Sequence, residues 1–183
     1  MSEKLYTRVS EEFEKNGLAG HVLIAGPDLS DTHGFTELGY DTPDYDAPPI
    51  VYEVTPKATR YATREDLERL AEAAGVKMWL TKEEYLKCVH DADENEWKER
   101  DWPEDDVEPN QLLARPEVRA ALEAEGFDAY RDFIVVSNTQ PEVHIFWKEG
   151  TFELSGPVEL EPAEDADGPY DVRIADGAQR PAI

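Results

Sequence analysis

The stretch Thr139–Leu154, TQPEVHIFWKEGTFEL, decides how the chain is read. Val143, Ile145 and Trp147 alternate with Glu142, His144 and Phe146, the period of an extended strand with two different faces. Lys148-Glu149-Gly150 supplies a turn, and Thr151–Leu154 resumes the extended pattern, so the segment is expected to form a hydrophobic hairpin. Glu142 then stands at the start of a strand whose second face is anchored in the core. Gln140, two residues earlier, points to the same side if the extended conformation reaches past Pro141.

Working outward, FDAYRDFIVVSN (127–138) precedes this segment as another strand, so three short strands in succession close the domain. Upstream, NQLLARPEVRAALEAEGF (110–127) reads as a helix that starts afresh at Pro116, because proline suits a first helical turn and breaks an interior. TREDLERLAEAAG (63–75) carries a Thr cap, Asp66 three residues on, apolar residues at helical spacing and a terminal glycine. TKEEYLKCVHDAD (81–93) repeats the capped-helix pattern. IVYEVTP (50–56) is β-branched with a proline stop. KLYTRV (4–9) and HVLIAG (21–26) read as strands, with a short helical turn ending at Gly17 between them. The fold class expected is α+β, one domain over residues 1–158, with an acidic, mostly flexible tail over 159–183 in which only YDVRI suits a strand. Residues 27–49, rich in Asp, Pro, Gly and Thr, form a loop long enough to be a candidate lid.

Composition narrows the function classes. Forty-two acids against eighteen bases give a formal net charge of −24, which opposes a sequence-independent grip on nucleic acid or on an anionic membrane. Such acidity fits an acidic surface that docks on a basic protein partner, a high-salt adaptation, or simple solvation of loops. With 40% hydrophobic residues the chain has enough apolar mass for a packed core. The single cysteine, Cys88, forms no intrachain disulfide, and a reducing cytoplasm is the default expectation. The N-terminus lacks the apolar run of a secretory signal, and no 18-residue apolar stretch occurs.

Other motifs fail on their own chemistry. Asp91–Asn95 has the D-x-D-x-N opening of a calcium loop, but Glu96 stands where glycine must turn and Trp102 where a bidentate glutamate is needed. His21, His33, His90 and His144 are not spaced as metal ligands, so no metal site is expected. No phosphate-cradling glycine loop or nucleophile elbow is present. Cys88 reads as a small buried hydrophobe within a helix.

The stretch TQPEVHIFWKEGTFELSG (139–156) resembles the closing hairpin of the ADP-ribosyltransferase superfamily, in which an E/Q-x-E motif starts a strand that ends in a short turn before a final T-F-E-L-type strand. LEAEGFDAYRDFIVVSN (122–138) resembles the helix, turn and strand before it in phage and polyvalent-protein members. LYTRVSEEFEKNGLAG (5–20) is similar to their first strand and helix, and IVYEVTPKATRYAT (50–63) to their middle strand. The resemblance covers roughly residues 4–156. It implies split antiparallel sheets with flanking helices, NAD as substrate, and modification of a macromolecular target in a phage- or defence-related setting. By the same resemblance Glu142 stabilises the ribose cation and Gln140 orients the acceptor. Arg8, with Tyr6 beside it on the first strand, meets the pyrophosphate, and Tyr52 or Tyr61 stacks on nicotinamide. Relatives carry His-Gly or Arg-Gly after the first-strand Leu-Tyr, whereas this chain has Thr7-Arg8, so the cation is either displaced by one residue to the opposite side of the strand or absent. The acidity and that departure together support a second expectation: a non-catalytic inhibitor that mimics nucleic acid and occupies a basic partner.

Overall fold

The computed structural model describes residues 4–27, 29, 48–76, 78, 109–133, 142–164, 166–169 and 171–175. Most of the loop expected as a lid, the capped segment 81–93 with Cys88, the acidic stretch 94–108 and Gln140 lie outside the described residues.

The chain folds as α+β, with its strands divided between sheets. β1 (Leu5–Val9), β3 (Ile50–Pro56) and β7 (Phe152–Ser155) form an antiparallel sheet in the order β1-β3-β7. β2 (Leu23–Ala25), β4 (Tyr61–Ala62), β5 (Ala129–Phe133) and β6 (Glu142–Phe146) form a second sheet in the order β2-β6-β5-β4. Only the β4–β5 pair in these sheets is parallel. Among the described residues the two sheets meet at one antiparallel bridge, where the Tyr6 amide donates to the Gly26 carbonyl at 2.8 Å and the Gly26 amide returns a bond to Tyr6 at 3.0 Å. One residue further along β1 the backbones have parted, and the Thr7 hydroxyl donates to the Ile24 carbonyl at 2.7 Å. That bond satisfies a buried acceptor that has lost its strand neighbour, which would otherwise cost about 1–3 kcal/mol.

The expected hairpin is therefore opened into a crossing between sheets. β6 is a central strand flanked by β2 and β5, while β7 pairs with β3. The turn between them sets this course. Gly150 takes φ +86°, a left-handed geometry that glycine adopts at low cost. The Thr151 hydroxyl donates to the Lys148 carbonyl at 2.7 Å, and the Lys57 amide takes the Thr151 carbonyl at 2.7 Å, steering the chain to the end of β3.

Alternation sorts the side chains into layers. Val22, Ile24, Tyr130, Val143, Ile145 and Trp147 face the helices, packing on Leu67 and Ala71 of α2 (Arg64–Ala73), Leu112 and Leu113 of α3 (Pro109–Leu113), and Val118 and Leu122 of α4 (Pro116–Ala124). Pro116 does start a new helix, at its first position. The Thr63–Asp66 capping box closes the start of α2. On the other face Leu23, Ala25, Ala129 and Phe146 meet Leu5, Val9 and Val54 of the three-stranded sheet, with Phe13 of α1 (Glu11–Asn16) and Leu18 closing one end. Burying each such aliphatic or aromatic side chain is worth about 1.5–3 kcal/mol, so both faces of β6 are held in place.

The expectation of a mostly flexible tail from residue 159 gives way to structure over its first part. β8 (Leu160–Pro162) pairs with β9 (Val172–Ile174), and Val158, Leu160, Val172 and Ile174 cover Tyr6, Leu29 and Val51 on the outer face of the three-stranded sheet. Alternating apolar residues overcome the Pro, Gly and acid content that argues for disorder. YDVRI contributes β9, as its β-branched pattern predicts. Among the described residues no helix is long and apolar enough to cross a membrane.

Candidate functional site

Glu142 opens β6, and its carboxylate is exposed while the four residues after it are buried. In register it stands opposite Phe133, and His144 stands opposite Arg131. Arg131 leans along the strand, so its Nε donates to Glu142 Oε1 at 2.7 Å. Both partners keep about half of their side-chain surface in water, 47% for Arg131 and 59% for Glu142. An ion pair so exposed contributes about 0–1 kcal/mol and is easily exchanged for another partner.

His144 lies deeper on the same face, only 6% exposed, and its Nδ1 has no hydrogen-bond partner. The Tyr61 ring meets it edge-on at 5.3 Å between centroids, and Phe146 lies tilted at 6.0 Å. Phe146 in turn meets Phe152 of β7 at 5.3 Å, so a row of rings crosses from one sheet to the other. Burial, reinforced by the Arg131 charge and only partly opposed by Glu142, pushes the His144 pKa from 6.5 down to about 4. The imidazole is thus neutral at physiological pH. Burial, helped by the Asp128 carboxylate and opposed by Arg131, raises the Tyr61 pKa, so its hydroxyl stays protonated.

Tyr61 owes its place to a short strand that the sequence does not announce. The Asp128 carboxylate accepts from the Thr59 amide at 2.9 Å, the Thr59 hydroxyl at 2.9 Å and the Arg60 amide at 2.9 Å, and the Asp128 amide donates to the Arg60 carbonyl at 3.0 Å. These bonds dock β4 against the start of β5. Burial acts to raise the Asp128 pKa, but this set of donors outweighs it and holds the carboxyl below its ordinary value.

The residues singled out from sequence divide by strand face. Glu142 and Tyr61 lie on the side of the four-stranded sheet that looks toward the three-stranded sheet. Tyr52, opposite Thr7 on β3, packs on the same inter-sheet core and donates its hydroxyl to Glu14 Oε1 at 2.7 Å, tying β3 to α1. Arg8 and Tyr6 lie on the outer face of β1, both buried. Arg8 Nε donates to the Leu29 carbonyl at 3.2 Å, and Tyr6 packs with Leu29 and Val51. The one-residue displacement in Thr7-Arg8 has this consequence: neither residue joins Glu142, and Thr7 occupies the inward position. The cation beside Glu142 is instead Arg131, which the sequence reading did not single out. Its signal was alternation within AYRDF, which puts Arg131 on one face with Ala129 and Phe133, but it meets Glu142 only through the β5–β6 register. His144 was visible as a same-face neighbour of Glu142, and only burial reveals its neutrality.

The arrangement offers an exposed carboxylate, a guanidinium that can change partner, a neutral imidazole and a protonated phenol beside a row of rings. Among the described residues no three His, Cys, Asp or Glu side chains gather to hold a metal ion. Comparison with protein-family models, curated proteins and solved structures finds no match to this chain.

Proposed function

We propose that the chain is an ADP-ribosyltransferase-like protein that cleaves NAD and transfers its ADP-ribose to a macromolecular target, with Glu142 as the catalytic carboxylate. The observation that carries this reading is Glu142 itself, exposed at the start of a central strand, on the face turned toward a second antiparallel sheet. The division of the strands between two sheets supports it further.

The chemistry suits the groups present. The glycosidic bond between ribose C1′ and nicotinamide breaks with its electron pair leaving on nicotinamide. An acceptor nucleophile then bonds to C1′ and releases a proton. A carboxylate against the ribose stabilises the oxocarbenium-like charge that develops between these events. Tyr61 and Tyr52, both partly exposed, supply aromatic surface on the same side.

A second reading is favoured by the net charge of −24: a non-catalytic acidic inhibitor, mimicking nucleic acid, that binds a basic protein surface. Nicotinamide release from NAD, measured for the purified protein alone and with cell lysate, separates the two. Release by the native chain that Glu142→Gln abolishes supports the transferase. Absence of release, together with a protein partner whose affinity falls steeply with salt and ignores Glu142→Gln, supports the inhibitor.

A further inference from the structure

The first-strand cation expected to meet phosphate is turned away and bonded to the Leu29 carbonyl, so the Glu142 face needs another anchor for any phosphorylated substrate. Across β2, β4, β5 and β6 the sequence places a single Lys or Arg, and it is Arg131. Its guanidinium is half exposed, lies 2.7 Å from Glu142, and shares its strand face with His144, the residue opposite it in register. His144 is uncharged and buried against Tyr61, so an anion arriving here meets the Arg131 charge beside these rings. Guanidinium matches phosphate oxygens in a paired, charge-assisted geometry that a single carboxylate oxygen does not use fully.

We propose that Arg131 is the phosphate anchor of this site and that its pair with Glu142 is a latch: a nucleoside diphosphate moiety takes the guanidinium, and Glu142 is freed to turn to the ribose. The latch also keeps a carboxylate and a phosphate from facing each other without a cation between them, which like-charge repulsion would otherwise oppose. The identity of the substrate as a dinucleotide rests on the reading under Proposed function, but the latch does not need catalysis to be tested.

The probe is ADP, titrated into the full-length protein and followed by calorimetry or ligand-detected NMR, with folding of each variant checked by circular dichroism. ADP lacks the nicotinamide-side ribose that Glu142 would contact, so Glu142 acts on its binding through competition for Arg131 and through direct repulsion of the phosphates, and only the first disappears when Arg131 is already Gln. Arg131→Gln is expected to weaken ADP binding by about tenfold or more. Glu142→Gln is expected to tighten it about two- to fivefold, because the competing carboxylate is gone. Arg69→Gln, which removes the same charge from the exposed Arg69–Glu125 pair on the helices, is expected to leave binding as it was. Arg131→Gln binding ADP like the native chain overturns the proposal. So does Glu142→Gln binding no tighter, or no ADP binding by the native protein at millimolar concentration. ADP binding that follows the expected pattern in a protein that releases no nicotinamide refutes the transferase reading and leaves the anchor standing. Nicotinamide release with ADP affinity indifferent to Arg131 does the reverse.

Discussion

Replacing His144 with phenylalanine should make the protein more resistant to mild acid. In the folded chain His144 titrates near 4, against about 6.5 for an unburied imidazole, so the unfolded state binds the proton more tightly. The sign follows from linkage: a folded pKa below the unfolded one favours the neutral fold above pH 6.5 and withdraws stability as pH falls from 6.5 toward 4. At pH 5 the unfolded imidazole is almost wholly protonated and the folded one almost wholly neutral. Each tenfold in proton affinity is worth about 1.4 kcal/mol, which gives about 2 kcal/mol lost between pH 7.5 and pH 5. Solvent at the Arg131–Glu142 rim screens part of this, so about 1–2 kcal/mol is expected. Lowering pH also relieves repulsion within a chain of net charge −24, which acts in the opposite direction on native and variant alike. The quantity to measure is therefore a double difference: urea unfolding free energies of the native chain and His144→Phe at pH 7.5 and pH 5. The native chain should lose about 1–2 kcal/mol more than the variant over this interval. Equal pH dependence would refute the assignment of a buried neutral imidazole at this position.

Two further substitutions test how the site is built. Thr7→Val keeps shape but leaves the Ile24 carbonyl unpaired at the sheet junction, and should lower unfolding free energy by about 1–3 kcal/mol in chemical denaturation. A neutral result would show that the junction does not depend on this hydroxyl. Asp128→Ala removes the acceptor that docks β4, and should cost about 1–2 kcal/mol at pH 7, with increased hydrogen exchange at the Thr59 and Arg60 amides. Because the Asp128 carboxyl is held below its ordinary pKa, the native advantage is present above about pH 4 and shrinks as pH falls through the folded value. An unchanged exchange rate would contradict the docking role.

Local patterns carried much of this architecture. The β-branched run of β3 matches its observed bounds of Ile50–Pro56, and the cap of α2, the proline start of α4 and the alternation that exposes Glu142 all act within a few residues. What adjacency concealed was partnership. TFELS reads as the return arm of a hairpin because it follows β6 by five residues, yet it pairs with β3. β4 is two residues long and exists because Asp128, distant in sequence, gathers the Thr59 and Arg60 donors. The Arg131–Glu142 pair depends on the β5–β6 register, which no local spacing fixes. Arg8 shows the opposite case: strand parity alone turned it outward, and its bond to the Leu29 carbonyl fits that parity.

The central claim is that Glu142 directs transfer of ADP-ribose, and labelled NAD tests it most directly. NAD carrying a biotin on its adenine is incubated with cell lysate and either the native chain or Glu142→Gln, whose loss of one exposed ion pair should cost the fold no more than about 1 kcal/mol. Label attached to a macromolecule by the native chain and absent with the variant is the result this account predicts. Equal labelling by both proteins, or none by either while both remain folded, would contradict it.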